Sequence, residues 1–217
     1  VVVAAVFAAS FSGTGMILRF LKSRAILDHP NERSSHSMPT PKGGGIVVAT
    51  VVIATWLGTG WGGPQTGTVT VLAAAGGGLA ALSWVDDLKG LSPVWRLLGQ
   101  GAAVGFVLIS SPAGNLYFGG LLPVGLDILA AALLWLWFIN LFNFMDGIDG
   151  LAGVETASIG LGAALVATMA GLPATYSIHG LTLFAAALAD DTIAGDAGGD
   201  ILVGGLGADL IRGDHTL

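Results

Sequence analysis

The sequence predicts an all-α polytopic membrane protein of about six to seven transmembrane helices, closed by a short Gly/Asp-rich tail of β-roll character. Three observations lead there. Of 217 residues, 53% are hydrophobic and only 10% are charged, against about 25% charged in a soluble domain. Apolar stretches near the ~20 residues that cross a bilayer recur along the chain, and helices are the open-chain solution that satisfies every backbone group there. The net charge of −6 is unevenly spread: positions 1–189 carry seven Lys/Arg and eight Asp/Glu, whereas 190–217 carry one Arg and six Asp. Without cysteine there is no disulfide framework and no Cys-ligated zinc. No basic stripe suggests nucleic acid.

Apolar spans are expected at 1–21, 44–61, 67–85, 95–111, 121–142 and 152–171, with a shorter one at 174–189. The first begins at Val1, inside an apolar run that is too long for a signal peptide and lacks its basic start. A truncated first span is the expectation. Gly62-Gly63-Pro64, Ser111-Pro112 and Gly171-Leu172-Pro173 punctuate the gaps as tight turns between antiparallel helices.

Alternating direction places the loops after spans one, three and five on one side. Those loops are 28–45, 86–93 and 143–153, the polar segments of the membrane region. Arg19, Lys22, Arg24, Arg33, Lys42, Lys89 and Arg96 fall on the same side. The positive-inside rule then makes it the cytoplasmic side.

The tail is of a different kind. Asp191, Asp200 and Asp209 recur every nine residues, as do Ile193, Leu202 and Ile211. This is the nonapeptide of calcium-binding parallel β-rolls, in which Asp and backbone carbonyls bind Ca²⁺ and the aliphatic residue points inward. With two full units against the three or so that stabilise a stack, it is expected to be marginal alone.

Three segments carry candidate chemistry. Asn140, Asn143 and Asp146 are spaced by three and share a helix face, which Asp149 continues if the helix persists. A surface cap needs one such residue, and polar groups gathered at the mouth of an apolar span suggest a site. Asp86-Asp87 ends the third span, and the repulsion between neighbouring carboxylates is relieved by a divalent cation or a lysine, with Lys89 near. Mg²⁺ suits one or two carboxylates plus substrate phosphates. The first cytoplasmic loop holds Asp28, Arg33, His36, Pro39, Pro41, Lys42 and Gly43 to Gly45. Its prolines fix an extended path, its glycines allow close approach, and Arg33, His36 and Lys42 are phosphate-capable donors. His179 is expected to be structural.

Together these segments resemble the polyprenyl-phosphate N-acetylhexosamine-1-phosphate transferases, glycosyltransferase family 4, which includes the phospho-MurNAc-pentapeptide translocases. The matching elements keep the family's order: Asp28, Arg33, His36, Pro39, Pro41 and Gly43-Gly44, then Asp86-Asp87, then Asn140, Asn143 and Asp146-Gly-Ile-Asp149-Gly-Leu-Ala. The wording of 142–150 looks closest to bacterial enzymes that start O-antigen or related surface polysaccharides. The resemblance covers 1–189, so a transferase-like membrane region followed by repeats at 190–217 is the expected division.

The resemblance implies transfer of a sugar-1-phosphate from a UDP-N-acetylhexosamine to undecaprenyl phosphate at the cytoplasmic face of a bacterial inner membrane. It implies Mg²⁺ on Asp86, Asp87, Asp146 and Asp149, which would also be the catalytic carboxylates. Substrate binding would fall to Asp28, Arg33, His36, Lys42, Asn140 and Asn143. The bilayer is a partner, and a homodimer is left open. The tail would take Ca²⁺ on Asp191, Asp200 and Asp209. The family also carries a Gly-Asp-x-Gly-Ser element and a later His-rich loop. Here Gly195-Asp196-Ala197-Gly198 is better explained by the nonapeptide, and a truncated or chimaeric chain with little activity of its own is the expectation. The competing readings are a non-enzymatic membrane protein with a calcium-binding tail, and a transporter or channel. Transporters place ionisable groups near mid-span, which disfavours the last.

Overall fold

Seven helices run through the described residues: α1 (Val2–Ser23), α2 (Gly45–Gly60), α3 (Thr66–Lys89), α4 (Pro93–Ser110), α5 (Val124–Met145), α6 (Leu151–Met169) and α7 (Ala174–Ala194). They come from a computed structural model that describes residues 1–24, 27–28, 40–41, 45–112, 115–145 and 151–194. Five of the helices, α1, α3, α4, α5 and α6, are long and apolar enough to cross a membrane. The apolar runs of α2 and α7 are shorter, Gly45–Gly60 and Ala174–Ala189. The chain is thus a multi-pass helical membrane protein. Beside the helices, β1 (Leu27–Asp28) and β2 (Thr40–Pro41) pair antiparallel, Leu27 with Pro41 and Asp28 with Thr40, closing the neck of the first polar loop.

The helices stop where the sequence supplies stop signals rather than where hydropathy fades. Helix α3 runs past its apolar segment through Asp86-Asp87 to Lys89, and ends because Gly90 is left-handed (φ 64°) and donates its N–H to the Asp86 carbonyl at 2.7 Å. Helix α4 starts at Pro93 behind an extended Ser92, since proline suits the first helical position. A side chain at Gly90 would strain the left-handed conformation, so Gly90→Ala should lower stability by about 1 kcal/mol. Thermal unfolding in detergent micelles, followed by circular dichroism, measures it.

Two compact units divide the chain, Val1–Thr55 with Met145–Leu217, and Trp56–Phe144. In the first, α7 packs on both α6 and α1. Helix α6 turns its small residues Ala157, Gly160, Ala164 and Ala167 inward. Without a hydrophobic force between helices in lipid, such residues let backbones approach and gain dispersion contacts. At Gly160 the approach is extreme: an added Cβ would lie 2.6 Å from the Gly180 carbonyl oxygen and 2.7 Å from the Phe184 nitrogen. Helix α1 buries Val6, Ser10, Thr14 and Leu21 along one stripe. In the second unit, α3 and α4 form an antiparallel hairpin in which Gly99 admits Leu82.

Helix α7 reaches Ala194, so residues 190–194, expected in the tail, are helical and Asp191 sits in the last turn of α7. Arg33, His36, Lys42, Asp146, Asp149, Asp200 and Asp209 lie outside the described residues. Asp28 stands in β1, at the neck of the first polar loop.

Candidate active site

The α3–α4 turn organises the site around Asp86. Its carbonyl accepts the Gly90 N–H at 2.7 Å, and its carboxylate Oδ1 accepts the Leu91 N–H at 2.7 Å. Its Oδ2 lies 3.4 Å from Nη1 of Arg96, one turn into α4. Backbone and side chain of one residue therefore set both the helix end and the following turn. A partly exposed pair of this kind is worth only about 0–1 kcal/mol, so its main consequence is placement: the guanidinium is held beside the Asp86 carboxylate. The sequence offered a divalent cation or a lysine, with Lys89 near, for relief of the Asp86–Asp87 repulsion, and the structure pairs Asp86 with Arg96. The buried Nε of Arg96 has no acceptor among the described residues.

Arg96 and Gln100 are four residues apart and so share one face of α4. Gln100 is buried and accepts through Oε1 from Nδ2 of Asn140 at 2.9 Å. Asn140 Nδ2 also donates to the Leu136 carbonyl at 2.8 Å. Both amide N–H bonds are thereby used, which orients Oδ1 as the acceptor of that side chain. One face of α4 thus joins the end of α3, through Asp86, to the end of α5, through Asn140. Asn143 follows one turn later on α5 and is exposed.

The structure therefore brings Asp86 and Asn140 together with Arg96 and Gln100 at one end of this unit, and Asp87 follows Asp86 in the last turn of α3. Arg96 and Gln100 were not expected as site residues. The available signal was their four-residue spacing near the start of an otherwise apolar helix, but no single sequence shows which residue on a neighbouring helix they meet. Among the described residues no three His, Cys, Asp or Glu side chains converge as a metal cluster. Asp146 and Asp149, expected to complete one, are outside them. The chemistry available here is acidic and cationic side by side: carboxylates that accept a hard cation or a proton, and a guanidinium suited to a phosphate.

Residues 69–194 match the model of glycosyl transferase family 4. The span includes Asp86, Asp87, Asn140, Asn143, Asp146 and Asp149, and ends with α7. The chain is 33% identical over 150 residues to a decaprenyl-phosphate N-acetylglucosaminephosphotransferase of Mycolicibacterium smegmatis, covering 63% of this chain and 36% of that protein. The protein of that name from Mycobacterium tuberculosis H37Rv is 32% identical over 175 residues, 74% of this chain and 42% of the relative. A phospho-N-acetylmuramoyl-pentapeptide-transferase of Enterococcus hirae is 35% identical over 136 residues, 55% of this chain and 42% of the relative. The chain thus spans well under half the length of these relatives.

Proposed function

The chain belongs to glycosyl transferase family 4, and from that we propose that its protein moves N-acetylhexosamine-1-phosphate from a UDP-sugar to undecaprenyl phosphate, starting a cell-envelope polysaccharide such as O-antigen. The observation that carries this reading is the Asp86 arrangement: adjacent carboxylates at a helix end, with Arg96 held at 3.4 Å. Phosphoryl transfer asks for charge neutralisation and in-line positioning more than covalent chemistry. The basic residues on the same side support a cytoplasmic site, where nucleotide sugars are found.

In this reading an oxygen of the lipid phosphate attacks the sugar-bearing phosphorus of the donor. The bond from that phosphorus to the bridging oxygen breaks, and UMP leaves with the bridging oxygen. Any proton on the lipid phosphate passes to a carboxylate. We assign this role to Asp87, which is exposed at the end of α3. Arg96 offers its guanidinium to the diphosphate. Asn140, oriented by Gln100, presents Oδ1 to a donor on the nucleotide, and Asn143 extends that contact. Mg²⁺ takes one or two carboxylates beside substrate phosphates, which suits Asp86 and Asp87 as its holders, and Asp146 and Asp149 are proposed as further ligands. Bound there, the ion would supply neutralisation of the diphosphate charge. Asp28, Arg33, His36 and Lys42 of the first loop are proposed to bind phosphate or sugar.

A donor labelled with ³²P on the sugar-bearing phosphate tests the reaction class. Label entering the lipid, with unlabelled UMP released and the reaction stopped by EDTA, is the expected result; release of labelled UDP would mean ordinary glycosyl transfer and overturn the proposal. Gln100→Leu should reduce kcat/KM about five- to tenfold, the worth of one net hydrogen bond. Steady-state kinetics with varied UDP-sugar show it.

The repeats at 195–217 are proposed as a separate calcium-binding tail, with Asp200 and Asp209 as ligands. Calcium-dependent folding of that segment by circular dichroism is the expected sign.

A further inference from the structure

At the opposite end of α4 from Asp86, about 27 Å away for a helix of this length, the chain builds a second ordered feature. Asp127, in the first turn of α5, is fully buried. Its two carboxylate oxygens accept the backbone N–H groups of Tyr117 at 2.8 Å and Phe118 at 3.0 Å. The Tyr117 hydroxyl donates to Ser111 Oγ at 3.0 Å, and Ser111 Oγ donates to the Val107 carbonyl at 3.1 Å. The Leu121 N–H closes a turn on the Phe118 carbonyl at 3.1 Å through the left-handed Gly119 and Gly120 (φ 62° and 85°). Residues 115–123 are thus tied to both flanking helices.

A buried carboxylate near the end of a membrane-spanning helix is expensive unless hydrogen-bonded, so a loop whose backbone N–H groups bond both of its oxygens holds a definite shape. Apart from Asn115, what that shape displays is largely apolar. Leu121 is 87% exposed, Val124 59% and Leu116 40%. No charged residue occurs between Arg96 and Asp127. The exposed side chains continue the surfaces of two helices apolar enough to cross a membrane, and Tyr117 adds the amphipathic ring that favours headgroup level.

We propose that residues 115–123 form a rigid lipid anchor. Leu116, Tyr117 and Leu121 sit in the boundary between headgroups and acyl chains, on the face opposite the Asp86 cluster, and Asp127 is the internal clamp that holds them there. The occupant of this surface is phospholipid, which neither the transferase reading nor the family match assigns to the loop.

The chain has no cysteine, so Leu121→Cys gives a unique site for a nitroxide label. In vesicles of phosphatidylcholine and phosphatidylglycerol, power-saturation electron paramagnetic resonance should show the label colliding more with oxygen than with aqueous nickel-EDDA. Adding Asp127→Asn, which keeps an oxygen for one of the two backbone N–H groups and sets an amide NH2 against the other, should mobilise the label and raise its nickel-EDDA accessibility. Tyr117→Phe, which removes only the hydroxyl bridge to Ser111, should do so to a lesser degree and serves where the Asn variant fails to insert. A label at 121 that prefers nickel-EDDA in the unaltered loop overturns the anchor, a loop that docks another protein included. A lipid-facing label unmoved by both substitutions overturns the clamp.

Discussion

Asp86→Asn, tested in membranes of a full-length homologue that carries this segment, is expected to reduce UMP release at least about a hundredfold, the scale on which a preorganised electrostatic group acts on a reacting phosphate or carbonyl. The substitution separates two jobs. Asparagine keeps an Oδ1 that accepts the Leu91 N–H, now 2.7 Å from the carboxylate, so the α3–α4 turn survives. It removes the charge that faces Arg96 at 3.4 Å and that would hold Mg²⁺. Loss of rate with an unchanged melting temperature therefore assigns Asp86 to chemistry. Asp86→Ala should lose the same activity and some stability as well, because the Leu91 N–H then loses its acceptor, a loss of about 1 kcal/mol. Retained activity in Asp86→Asn would remove this residue from the site.

The second large effect concerns Gly160. Alanine there should weaken the α6–α7 pair by about 3 kcal/mol or more, beyond the usual 1–3 kcal/mol of overpacking. The added Cβ would meet the Gly180 oxygen at 2.6 Å and the Phe184 nitrogen at 2.7 Å, and both are backbone atoms of a helix that cannot yield as a side chain tip does. Gly180 is constrained reciprocally, its Cβ falling 2.5 Å from the Gly160 oxygen. Gly162, two residues along the same helix, has open space at its Cβ, and Gly162→Ala should be neutral or slightly stabilising from helix propensity. Equal melting temperatures for Gly160→Ala and Gly162→Ala in detergent would contradict the packing.

Much of this architecture was legible because the bilayer imposes a length on apolar segments. Each expected span has its helix, and the differences have local causes. The span ending at 85 by hydropathy becomes a helix ending at Lys89 because Gly90, not Asp86, is the residue that can turn left-handed. The span beginning at 121 becomes α5 beginning at Val124, because Gly119, Gly120 and Pro123 shape a turn first. Asp127 was hidden in an apolar run, and only the folded loop shows that each of its oxygens accepts a backbone N–H. The Asp86-Asp87 pair and the Asn140/Asn143 spacing could be read as candidate site residues from residue type alone. Their connection through Arg96 and Gln100 could not, since it depends on which faces of α3, α4 and α5 meet.

The central claim is that residues 69–194 carry the family's transferase site around Asp86. Exchanging this segment into the full-length Mycolicibacterium smegmatis relative, in place of its own, measures it most directly through UMP release in membranes. The account predicts Mg²⁺-dependent release by the exchanged protein and its loss when the segment carries Asp86→Asn. Release that persists undiminished with both Asp86→Asn and Asp87→Asn in the segment would contradict it.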